Sequence, residues 1–113
     1  MDTVWRVDAH QHFWRFDPAS YGWIGDDMDV LKRDFLPAEL RFELDIRHIG
    51  GSVAVQARAS EAETDFLLGL AASNPWILAV VGWIDLRADD LEARLEARAS
   101  SAVLKGYRHQ VQD

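Results

Sequence analysis

The chain contains no cysteine. That excludes disulfides, thiolate metal sites and cysteine nucleophiles, and it fits a reducing compartment. Basic residues are few, with 12 Lys and Arg against 19 Asp and Glu and a net charge of −7. A chain of this sign is repelled by phosphate backbones and anionic lipid, so neither nucleic acid nor a membrane surface is an expected partner. Long apolar runs are also missing. The longest, Trp76 to Ile84, falls far short of the ~20 residues that a spanning helix needs. The opening Met1-Asp2-Thr3 lacks a basic start followed by an apolar run, so no signal peptide is expected and the cytoplasm is the expected location. No linker and no sequence repeat are visible, and residues 1–113 read as one unit.

What is present is an ordinary globular composition, 49% hydrophobic and 27% charged, that supports one small domain. Aromatic residues crowd the beginning: Trp5, Trp14 and Trp23 stand with Phe13 and Tyr21 before residue 24. They suit either a packed core or one wall of a small-molecule pocket.

Four strands are expected, at Val4–Phe13, Ser52–Ala57, Ile77–Leu86 and Val103–Val111. Residues 14–36 read as a long irregular loop with an acidic Asp26–Asp29 run, and loops of this length are often functional. Pro37 suits a first helical turn, Leu40, Leu44 and Ile46 an inner face, and Gly50-Gly51 the stop. Ser60 and Glu63 form a capping box for a second helix striped by Phe66, Leu67, Leu70 and Ala71. Asn74-Pro75 ends it. Asp89-Asp90 opens a third helix carrying Leu91 and Leu95. This alternation predicts an α/β fold of parallel β/α units, with near-continuous apolar strands covered on both faces. A fourth strand with no helix behind it is material for about half of a barrel of ~250 residues, which leaves a fragment, an open four-stranded sheet or two associated copies as the alternatives. Exposed edges on the first and fourth strands would favour a second copy as partner, a homo-oligomer.

The chemistry is concentrated in Asp8-Ala9-His10-Gln11-His12-Phe13-Trp14. Residues two apart on a strand share a face, so His10 and His12 point the same way, with Asp8 one step deeper. Two neutral imidazoles side by side can hold part of a divalent metal site, zinc being the usual guest. A pair that merely ends a strand is the plainer alternative.

These strings, with VQA, SEAE, GWIDL and GYRHQVQD, resemble the amidohydrolase superfamily, and within it the metal-dependent hydrolases of the sugar lactonase type. The likeness runs along nearly the whole chain. It implies that the units form the first half of a TIM-type (β/α)8 barrel. It also implies hydrolysis of a lactone or similar ester, and in some relatives a bound zinc. By position His10 and His12 match the first-strand metal histidines, Gln56 the end of the second strand, Trp83 and Asp85 the third, and Arg108, His109 and Gln110 the fourth.

Arg108 and His109 are the catalytic candidates. Arg108 would polarise a carbonyl through its planar fork, and His109 would ligate or carry a proton. Gln56, Trp83 and Trp14 are the substrate-binding candidates. Each has a structural alternative: backbone hydrogen bonding for Gln56, core packing for the two tryptophans, a frayed strand end for Arg108 and His109. Asp85 reads as a helix cap, and His48 as a structural residue at a helix end. The family's general base, a last-strand Asp, has no counterpart here. A non-catalytic half-barrel that self-associates, or a decarboxylase of the same superfamily, are the alternatives to a lactonase.

Overall fold

The computed structural model describes residues 5–17, 19, 21 and 24–111. Val4, Trp23 and Gln112-Asp113 lie outside that set. Four strands alternate with three helices: β1 (Val7–Gln11), α1 (Pro37–Ile46), β2 (Gly51–Val55), α2 (Glu61–Ser73), β3 (Ile77–Gly82), α3 (Leu91–Glu96) and β4 (Leu104–Tyr107). The strands form one parallel sheet in the order β1-β2-β3-β4. Each strand lies beside its sequence neighbour, the arrangement that successive β/α units produce on the way round a TIM-type barrel. No helix among the described residues is long and apolar enough to cross a membrane.

Every strand stops earlier than its apolar run does. β1 ends at Gln11 rather than Phe13, β3 at Gly82 rather than Leu86, and β4 at Tyr107 rather than Val111. The residues beyond each strand end are free of the ladder, and those four ends carry the candidate site. β1 is also irregular. Asp8 pairs with Ser52 and Gln11 with Ala54, three steps against two. The extra residue is a bulge, and bulges re-aim side chains. The Asp8 carboxylate fastens it, accepting from the His10 amide at 3.2 Å and the Gln11 side-chain amide at 2.6 Å. Asp8 is thus spent on the bulge and not on the imidazoles, a correction to simple alternation.

The main core lies between the sheet and α2. Phe13, Ala54, Leu67, Ala71, Ile77 and Val80 are buried there, with Phe66 and Leu70 half-buried beside them. In α1, Leu44 is buried but Ile46 is 57% exposed, because a step of two residues turns ~200° round a helix. The loop after β1 is more ordered than expected. It holds a 3-10 segment at Asp26–Leu31, and Trp14 and Phe35 exchange backbone hydrogen bonds at 2.8 and 3.0 Å.

α1 ends before the glycines expected to stop it. His48 adopts φ 56°. Its N–H donates to the Asp45 carbonyl, and that of Ile49 donates to Leu44. This pair of bonds is the Schellman closure, which normally places glycine at the left-handed position. A left-handed L-residue costs about 1–2 kcal/mol. His48→Gly is therefore expected to stabilise the protein by about 1 kcal/mol, read as a higher denaturant midpoint at unchanged slope. An unchanged or lower midpoint would show that the His48 side chain offsets its own strain.

Candidate active site

His10 lies near the end of β1 and His12 one residue beyond it. Their Nε2 atoms approach to 3.2 Å, with the rings nearly perpendicular at 81° and centroids 4.9 Å apart. The shared face expected from the spacing is therefore present. His12 is held from behind, its Nδ1 lying 2.9 Å from the Val55 carbonyl at the end of β2. A carbonyl can only accept, so Nδ1 carries the proton and Nε2 is the bare nitrogen. Burial is the largest influence on His12 and pushes its pKa below the ordinary 6.5. The charges of His10 and Arg108 act in the same direction, and the Val55 bond opposes them. The neutral ring is thus kept further into acid than in a free histidine.

Arg108 follows β4 directly. Its backbone N–H donates to the Gly82 carbonyl. Its side chain reaches past β3 to the end of β2, where Nε–H donates to Gln56 Oε1 at 2.6 Å and Nη2 to the Gln56 carbonyl at 3.0 Å. Gln56 is fully buried. Its amide nitrogen donates to the Arg58 carbonyl at 3.2 Å, so the amide that the sequence offered to substrate is spent inside the protein. No carboxylate pairs with Arg108 among the described residues. Burial pushes its pKa down, yet a guanidinium stays charged at neutral pH. His12 and Arg108 are tied to adjacent residues at the end of β2, His12 to the Val55 carbonyl and the guanidinium to Gln56.

Trp83 follows β3 and is half-buried. Its ring lies 6.5 Å from that of His109, which is exposed. Arg108 and His109 both lie past the end of β4, so strand alternation does not decide which way either points. Trp14 is buried with Tyr21 and Ile24, its ring centroid 4.7 Å from that of Phe35 with the planes tilted by 49°, as a core residue would be. Asp85 accepts from the Arg87 N–H at 3.0 Å. It orders a turn and does not cap α3, whose N-cap is Asp90. A cleft of about 250 Å³ opens on the α1 side of His12, which lines it together with Gln11, Phe13, Arg33, Phe35 and Glu39 among others.

The ends of the four parallel strands thus carry two imidazoles, a clamped guanidinium and an indole, at the end of the sheet where β/α enzymes place their active sites. Residues 7–113 match the sequence profile of the amidohydrolase family. The chain belongs to the amidohydrolase family. It is 52% identical over 108 residues to an L-fucono-1,5-lactonase of Burkholderia multivorans, covering 96% of this chain and 36% of that protein. A second L-fucono-1,5-lactonase, from Burkholderia ambifaria, is 34% identical over 110 residues, covering 97% and 38%. The chain therefore spans a little over a third of the length of the curated relatives it matches. Two crystal structures of a Burkholderia multivorans amidohydrolase superpose on it. One, with bound zinc, gives a TM-score of 0.91 at 51% identity; the other, with bound HEPES, gives 0.92 at 50%. Each covers 97% of this chain and 38% of the solved one.

The histidine pair of this amidohydrolase fits two positions of a metal site. Nitrogens about 2.0–2.1 Å from a tetrahedral zinc lie about 3.3 Å apart, close to the observed 3.2 Å. A backbone carbonyl on the remote nitrogen of His12 is the usual outer support for a ligating imidazole. Among the described residues no third His, Asp, Glu or Cys joins the pair. Two polar residues of α2, Glu63 and Thr64, are buried and bond the ends of β2 and β3, which their sequence pattern did not signal. Glu63 was expected to close a capping box. Ser60 does accept from the Glu63 N–H at 3.1 Å, but the Glu63 carboxylate turns to the Ala57 N–H at 2.7 Å. Thr64 went unnoticed, although it stands three residues before Leu67 and seven before Ala71 on the buried stripe.

Because burial favours neutral His12, the acid limb of kcat/KM should have its midpoint below pH 6.5. A pH–rate profile checks this. A midpoint above 6.5 would mean that another group, or a charged His12, governs the limb.

Proposed function

We propose that this chain supplies the first half of the active site of a sugar-acid lactonase. Residues 1–113 would form the first half of its barrel. The reaction opens the C–O ester bond of an aldonolactone, the L-fucono-1,5-lactone type above all. The observation that carries the proposal is the pairing of His10 with His12 and the anchoring of His12 and Arg108 on the adjacent residues Val55 and Gln56 at the end of β2, in a chain about half identical to a lactonase.

Each residue has a role in this reading. The Arg108 guanidinium, preset on Gln56, donates to the carbonyl oxygen as water adds to the carbonyl carbon and negative charge gathers on that oxygen. His10 Nε2 and His12 Nε2 would hold a divalent metal, zinc first, which when bound supplies Lewis-acid polarisation of a carbonyl. His109, exposed beside Trp83, is placed to exchange protons with solvent. The ring C–O bond then breaks, the ring oxygen takes a proton and becomes a hydroxyl, and the carbonyl becomes a carboxylic acid. A general base takes the proton of the attacking water. Trp83, half-buried beside His109, forms one wall. Gln56 acts through Arg108. Trp14 contributes by holding the loop that follows His12.

The test is turnover of L-fucono-1,5-lactone by the product of the full reading frame containing this chain. Acid release above the spontaneous rate is expected. A folded protein that opens no five- or six-membered aldonolactone would refute the proposal.

A further inference from the structure

Thr64 is fully buried in the second turn of α2. Its hydroxyl makes two bonds to one residue. Oγ1 donates to the Trp83 carbonyl and accepts from the Trp83 N–H, both at 2.8 Å. The location explains why this is needed. Pairing of β3 with β4 stops at Gly82, opposite Tyr107, so the Trp83 peptide groups have left the ladder. Buried backbone groups without partners are costly. Thr64 stands in for the missing strand at the point where the chain turns from the sheet into the site. Gly82 permits the approach: a Cβ there would lie 2.7 Å from both Thr64 Cγ2 and Oγ1, a severe overlap. On the far side Ile84 is anchored in the core. Trp83 is therefore pinned at both neighbours and at its own backbone, with its ring beside His109.

We infer that Thr64 is a positioning residue for the site, fixing the Trp83 backbone from the helix side of the sheet so that the indole faces substrate. The inference rests on the proposed contact between Trp83 and substrate. Its physical content is that one hydroxyl, remote from any reacting atom, sets the placement of a pocket wall. Glu63 does comparable work one strand over, holding the Ala57 amide beside Gln56, so consecutive residues of α2 tie down the ends of β2 and β3.

Thr64→Ala and Thr64→Ser isolate the hydroxyl, since both lose the methyl and differ by one oxygen. In the full-length protein, hydrogen exchange at the Trp83 amide should be about tenfold faster in Thr64→Ala than in Thr64→Ser. The Val80 amide, in the middle of β3, should exchange alike in both. KM for L-fucono-1,5-lactone should rise about tenfold in Thr64→Ala and return close to wild type in Thr64→Ser, with kcat less affected. If the alanine variant does not fold, Thr64→Val, which keeps the shape and loses the hydroxyl, takes its place. Equal Trp83 exchange in the two variants overturns the inference. So does faster exchange with an unchanged KM, the result expected of a purely structural threonine. If the wild type opens no lactone, the proposed function falls, and exchange at Trp83 alone decides whether Thr64 holds that peptide.

Discussion

Alanine at His12 is expected to lower lactone turnover by about a thousandfold while leaving the protein folded. The size follows from the several tasks of one ring. Its bare Nε2 faces His10, its Nδ1–H is tied to Val55, and burial keeps it neutral. Removing it takes away one of the two proposed metal-holding nitrogens, and takes the His12 donor from the Val55 carbonyl. His12→Asn is the informative companion. An asparagine amide can still donate to a carbonyl but offers no imidazole nitrogen, so it should recover stability and not turnover. If the asparagine variant recovered most of the rate, the ring would be a brace for β2 and nothing more.

Methionine at Arg108 is the second large effect, about a hundred- to a thousandfold in kcat, the usual cost of losing one preset donor to a developing oxyanion. Methionine keeps much of the length and removes the charge. It also frees Gln56 Oε1 and the Gln56 carbonyl, which are buried and now accept from the guanidinium. Some loss of stability should accompany the loss of rate, about 1–3 kcal/mol for acceptors left unpaired. Arg108→Lys separates the two contributions. A lysine restores a charge but cannot bond Oε1 and the carbonyl in a planar fork, so it should rescue stability less than rate. Steady-state kinetics and denaturant titration of both variants check this. A kcat within threefold of wild type in Arg108→Met would remove Arg108 from the chemistry.

The parts of this molecule that were legible in the sequence are those governed by short-range rules. His10 and His12 are two residues apart, and a period of two is enough to bring their rings together. The β/α alternation follows from apolar runs separated by capped helices, and Ser60 caps α2 as its neighbours suggest. Longer-range facts were not legible. The bond between Arg108 and Gln56 spans 52 residues, and only the fold brings them together. Asp8 shares the parity of the histidines, but a bulge intervenes and its carboxylate turns to Gln11. α1 stops at a left-handed histidine because Leu44 must be buried and the chain must turn into β2. The pair of glycines expected to stop it serves other ends: Trp5 packs over Gly50, and Gly51 opens β2 against Leu78. Thr64 looks like an ordinary helical residue until the end of β3 is seen to need a partner. The resemblance to a family pointed to the strand ends, and the contacts His12–Val55 and Arg108–Gln56 between them come only from the fold.

The central claim is that the histidine pair and the clamped guanidinium serve one reaction at one place. A double-mutant cycle on kcat/KM for L-fucono-1,5-lactone, with His12→Ala, Arg108→Met and both together, tests it most directly. Groups acting as a unit are strongly non-additive, so the double variant should lose no more than about tenfold beyond the worse single one. Losses that simply multiply, or a His12 variant as fast as the wild type, would contradict it.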